Sequence, residues 1–121
     1  LEAPIFDFAE TARREVVFQG FPAFLWQLAD TAAKLRGVNL NETPIPTGIE
    51  AAGNRPILLL HGTDDQRLAY EGALKFRDYA ESVGVSVQLE TFEGADHTEG
   101  MLLETERYAE ALTSFFDTAL R

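Results

Sequence analysis

The sharpest hydrophobic pattern in the chain is the unbroken run Pro56-Ile57-Leu58-Leu59-Leu60-His61. An apolar run of that length fits a parallel strand covered on both faces. Gly62 turns the chain, and Thr63-Asp64-Asp65-Gln66 makes a polar loop. Ala69, Ala73, Phe76, Ala80 and Val83 then recur in steps of four and three, and Gly84 closes the amphipathic helix they predict. Glu71 with Lys75 and Arg77 with Glu81 mark its solvated face, each pair contributing only ~0.3–0.5 kcal/mol. Val85, Val87 and Leu89 alternate with Ser86, Gln88 and Glu90, which predicts a strand with one polar face near a sheet edge. After a loop over 93–100, Thr105 as N-cap and Glu106 in the first turn open a last helix. Its expected buried stripe is Tyr108, Ala109, Leu112, Phe115, Phe116, Ala119 and Leu120. Strand, helix, strand, helix in that order is a right-handed βαβ unit with a further helix packed back on the sheet.

Upstream the pattern is less uniform. Phe21, Phe24, Leu25, Leu28, Ala32 and Leu35 recur at helical spacing, Pro22 suits a first turn and Gly37 an end, so 22–36 reads as an amphipathic helix. Residues 38–55 form a connector punctuated by Pro44, Pro46, Gly48 and Gly53, with room for a short turn of helix. Residues 1–20 mix Pro4, Ile5, Phe6 and Phe8 with a charged stretch and predict no definite element.

Composition narrows the function classes. A chain of 121 residues fits one domain, and 45% hydrophobic with 25% charged residues is ordinary for a globular protein. The net charge of −10 argues against nucleic acid and disfavours anionic membrane surfaces. With no cysteine, disulfides, zinc–thiolate sites and a cysteine nucleophile are excluded. No apolar run approaches the ~18 residues of a membrane span, and no signal peptide is visible. The expectation is a soluble, cytoplasmic protein. Because the chain opens at Leu1 rather than methionine, upstream sequence is expected to have been removed.

Loops at the carboxyl ends of parallel strands are where open α/β sheets gather their functional groups. Asp65 follows the first strand and His97 the second, so neighbouring parallel strands bring both to one sheet edge. A carboxylate there fixes the tautomer of the imidazole, whose other nitrogen can deprotonate a nucleophile. Arg55-Pro56-Ile57-Leu58-Leu59-Leu60-His61-Gly62-Thr63-Asp64-Asp65 resembles the acid-strand motif of α/β-hydrolases, and Phe92-Glu93-Gly94-Ala95-Asp96-His97 resembles the loop carrying their catalytic histidine. The Tyr108 to Phe116 helix looks like the one that closes that fold. The spacing of Asp65 and His97 is similar to that in the prolyl-oligopeptidase-like and dienelactone-hydrolase-like esterase branches. The resemblance covers residues 38–121 well and 1–37 loosely, as a cap or helical segment. It implies the C-terminal portion of an α/β-hydrolase fold in a single partial domain over 1–121, with two parallel strands and flanking helices. Asp65 would be its catalytic acid and His97 its base. Trp26 and the Phe residues of 22–36 would be core, or would line an acyl pocket.

One departure is informative. The family's nucleophile sits in a Gly-x-Ser-x-Gly elbow upstream of the acid. Ser82, Ser86 and Ser114 are the only serines here; the nearest match, Gly84-Val85-Ser86-Val87-Gln88, lacks the second glycine and lies in a strand after the acid. The expectation is therefore the acid-and-base part of a serine hydrolase acting on small carboxylic esters or peptide-like amides, without a cofactor and inactive alone. Its serine would come from upstream sequence or a companion chain. The alternative is a non-enzymatic remnant of the fold that dimerises or binds a partner. Asp64 competes as the acid but suits the turn better, and either aspartate could serve the turn alone. His61, at the buried end of a strand, reads as a structural histidine. A metal site from His61, Asp64, Asp65, Asp96 and His97 matches by ligand type but has no compact motif, so no metal is expected. A fully apolar strand at 56–61 should also have a partner on its other edge, either an upstream fragment or a second copy in a homodimer.

Overall fold

The computed structural model of the chain describes residues 1–40, 42 and 45–121; Pro44, expected to punctuate the connector, lies outside the described residues. At the centre are two strands, β1 (Ile57–Gly62) and β2 (Val87–Phe92), parallel and in register from Ile57 opposite Val87 to Gly62 opposite Phe92. The helix between them, α4 (Tyr70–Ser82), makes the connection a βαβ crossover. Preceding β1 are α1 (Phe8–Phe18), α2 (Phe24–Leu35) and α3 (Ile45–Glu50), and following β2 are α5 (Gly100–Leu103) and α6 (Thr105–Ala119).

Both faces of β1 are covered, which is why its sequence is apolar throughout. Leu59 packs with Ile49, Phe76, Ala80 and Val85 under α3 and α4. Leu58 and Leu60 pack on the opposite face with Phe92, Ala95 and Ala111, under α6. The side-chain alternation of a strand thus sorts one run of leucines into two cores. Gly84 takes the left-handed conformation (φ 79°) that ends α4, and Gly37 (φ 76°) does the same after α2.

The other edge of β1 is paired within the chain. Leu60 N donates to Leu1 O at 2.8 Å and Ala3 N donates to Leu60 O at 2.8 Å, while the terminal ammonium donates to Leu58 O at 2.6 Å. Residues 1–3 therefore lie where a separate chain or fragment was expected. Among the described residues, they meet the middle of β1 only.

Three local expectations need correction. The buried stripe of α6 is rotated: Ala111 is buried and Tyr108, Leu112 and Phe115 are half-buried, whereas Ala109, Phe116, Ala119 and Leu120 are exposed. The sheet is narrow, so α6 meets it along one thin line of side chains. Thr105 is the first residue of α6 rather than its cap, and its hydroxyl donates to Met101 O at 2.7 Å. Finally, α2 has no buried residue; Trp26 is half-buried and Phe24 exposed, because α2 packs on α1 and not on the sheet. The charged stretch left unassigned in the sequence is α1, capped by Asp7, whose carboxylate accepts from Glu10 N at 3.0 Å.

Candidate active site

Just past the last paired residues of the sheet, two loops meet. They can approach because Gly62 has no side chain: a Cβ there would stand 2.2 Å from Ala95 O. Asp64 N donates to Ala95 O at 3.0 Å and Thr63 N to Phe92 O at 3.0 Å, while Thr63 Oγ1 accepts from Gly94 N at 2.8 Å. These bonds stitch the loop after β1 to the loop after β2.

Asp65 is buried at 4% exposure, and its two oxygens have separate partners. Oδ1 accepts from Arg67 N at 2.9 Å and Leu68 N at 2.7 Å. Oδ2 lies 2.9 Å from His97 Nδ1 and 3.3 Å from His61 Nε2. The paired amides compensate the carboxylate for the water it has lost, and they fix its plane. Asp64 is exposed, with its carboxylate at 3.4 Å from Thr63 Oγ1, so Asp65 is the aspartate that faces His97.

His97 is 32 residues further along, and its side chain keeps 28% of its surface exposed. With Nδ1 against a carboxylate, Nε2 is left as the nitrogen that can take or give a proton. The residue before it supplies a second brace: Asp96 Oδ1 accepts from His97 N at 2.7 Å and from Gln66 N at 2.8 Å. These two backbone amides, Gln66's first, hold the Asp96 carboxyl below its ordinary 3.8. The next residue, Thr98, turns the chain with a φ of 57°, rare for a β-branched side chain.

Helix α1 grips the acid loop from outside. Arg14 Nη2 donates to Asp65 O at 3.1 Å and to Gln66 O at 3.3 Å. Arg67 pairs with Glu15 at 2.9 Å and lies over the Phe18 ring at 5.5 Å; this pairing holds the Glu15 carboxyl below its usual range. An open groove of about 360 Å³, lined by Arg13, Arg14, Val17, Phe18, Ala23 and Gln66, runs alongside. Its apolar wall comes from α1 rather than from Trp26 or the Phe residues of α2. The sequence offered no signal for Arg14 or Arg67, which act through the path of a segment without clear periodicity. Asp96 stands beside His97 in the quoted motif, but it was weighed only as a metal ligand. Among the described residues, no group of three or more His, Cys, Asp or Glu is arranged to hold a metal ion.

A parallel βαβ core with a carboxylate and an imidazole meeting past its strand ends is the C-terminal part of an α/β-hydrolase fold. Residues 39–121 match the prolyl oligopeptidase family, and the chain belongs to it. Among solved structures it is similar to an esterase from Pyrococcus furiosus, with a TM-score of 0.66 and 18% identity over 99% of this chain and 43% of that one. The chain thus spans less than half the length of that esterase. No curated protein matches the sequence.

Proposed function

We propose that this chain supplies the acid, Asp65, and the base, His97, of a serine-hydrolase triad that cleaves carboxylic esters or peptide-like amides. The observation that carries this reading is the 2.9 Å contact between His97 Nδ1 and Asp65 Oδ2, with Oδ1 held by two backbone amides. In such a site the carboxylate orients the ring and stabilises the imidazolium, while Nε2 takes the proton of a serine and returns it to the leaving group. The groove beside Gln66 is of a size and polarity to hold the acyl or leaving group of a small substrate.

The serine and the oxyanion-hole donors belong to a part of the fold other than this chain. Nucleophile, base and oxyanion hole act as one unit, so the chain alone is inactive. Incubation with a serine-directed fluorophosphonate, followed by intact-mass analysis, tests this. The expected result is no adduct on the isolated chain, and a single adduct on the elbow serine once the upstream part is supplied. Stoichiometric labelling of Ser82, Ser86 or Ser114 would overturn the assignment.

A further inference from the structure

Asp65 Oδ2 faces two imidazoles, and the proposed triad uses one. The second, His61, is a buried residue at 2% exposure whose ring stacks edge-on against Tyr70 at 5.8 Å between centroids. Its Nε2 lies 2.8 Å from Leu68 O and 3.3 Å from Asp65 Oδ2. A carbonyl oxygen can only accept, so the ring proton sits on Nε2. Nδ1 is buried and has no hydrogen-bond partner among the described residues. The contacts of Nε2 to a carbonyl and a carboxylate of one loop set His61 apart from an apolar residue of the same shape.

Its bonding ties it to the Asp65 loop. Leu68 is held at both ends of its backbone: its N donates to Asp65 Oδ1 at 2.7 Å and its O accepts from His61. His61 sits near the end of β1, a buried strand paired along its length with β2, and Asp65 in the loop that leaves it. The Nε2–H therefore ties the loop back to the strand through Leu68 O. Its longer contact to Oδ2 opposes rotation of the carboxylate about its last side-chain bond. With Oδ1 on two amides and Oδ2 flanked by His61, one lone-pair direction of Oδ2 remains for His97.

We infer that His61 is a positioning residue: its Nε2–H clamps the Asp65 loop so that Asp65 Oδ2 receives His97 Nδ1 in one orientation and one tautomer. The functional weight of this clamp rests on the triad reading above; its structural content does not.

The chain has two histidines, so ¹⁵N-histidine labelling gives two imidazole spin systems whose long-range couplings report which nitrogen carries the proton. At alkaline pH the expected wild-type result is His61 protonated on Nε2 and His97 on Nδ1. A His61 protonated on Nδ1 overturns the inference, whatever the variants do. His61→Gln retains an N–H donor and keeps His97 on Nδ1. His61→Leu removes the donor, and the fixed His97 tautomer is lost to the mixture of a free imidazole. A folded His61→Leu chain with His97 still on Nδ1 overturns the clamp. If the leucine variant does not fold, the glutamine variant decides, and a folded His61→Gln chain with a free-imidazole His97 also overturns it. In the completed enzyme His61→Leu lowers kcat about ten- to hundredfold with KM unchanged, the range seen when partners that orient a ligating group are removed. Because the tautomers are read without turnover, spectra as expected from a completed protein that hydrolyses neither an ester nor a peptide-like amide would sink the triad reading alone.

Discussion

At the scale of single residues the site is a set of acceptors already filled. Asp65 accepts at both oxygens, Asp96 binds the amides of the residues that follow Asp65 and Asp96, and His97 spends Nδ1 on Asp65, which leaves Nε2 for the proposed proton transfer. In the completed enzyme His97→Ala should abolish turnover and Asp65→Asn should lower kcat by about 10⁴, through loss of the orienting charge. Equal kcat in wild type and both variants would end the assignment. Asp96 gives a pH test in the isolated chain. Its carboxyl is held below 3.8, so its contribution is complete above that value and fades as pH falls through the lowered one. The melting-temperature difference between wild type and Asp96→Asn should therefore be constant near neutrality and shrink in acid; a difference that grows in acid would contradict it. The facing of Asp65 and His97 was legible because parallel neighbours place their following loops together. The roles of Asp96, Arg14 and Leu68 were not, since each depends on a loop path that no periodicity encodes.

At the scale of elements, the strands and α4 were readable to within two residues, because β1 is apolar on both faces and α4 has a clean stripe ending in Gly84. What misled was reach. The apolar positions of α2 and α6 outnumber the sheet surface available to them, so Phe24, Leu28 and Phe116 are exposed at 56%, 60% and 53%. The junction of the two strand ends hangs on Gly62. Gly62→Ala puts a methyl group against the Ala95 carbonyl, a backbone atom that cannot swing aside. A loss of about 1–3 kcal/mol is expected from such overpacking, measured by the urea midpoint of unfolding. The Asp65–His97 contact should weaken with it. An unchanged midpoint would show that the loops part without cost.

Across the whole molecule the apolar surface is unevenly spent. Phe21, Phe24, Leu28 and Leu35, in and beside α2, and Met101, Leu102 and Leu103, in α5, stand at least half exposed, and exposed apolar surface of this kind favours association. We expect the isolated chain to self-associate at high concentration in sedimentation equilibrium, and the supplied upstream part to suppress this. A monomer at every concentration would argue that these faces need no partner. The shared register of the strands has a further consequence. Both strands stop at the same level, Gly62 beside Phe92, and from there each loop spans a fixed number of residues to its functional group. Those two loops act as rulers. One residue added between Gly62 and Asp65, or between Phe92 and His97, can displace a side chain by as much as one Cα step, about 3.8 Å, which the Asp65–His97 contact cannot absorb. This molecule is therefore bound to keep its length beyond the strand ends, between Gly62 and Asp65 and between Phe92 and His97.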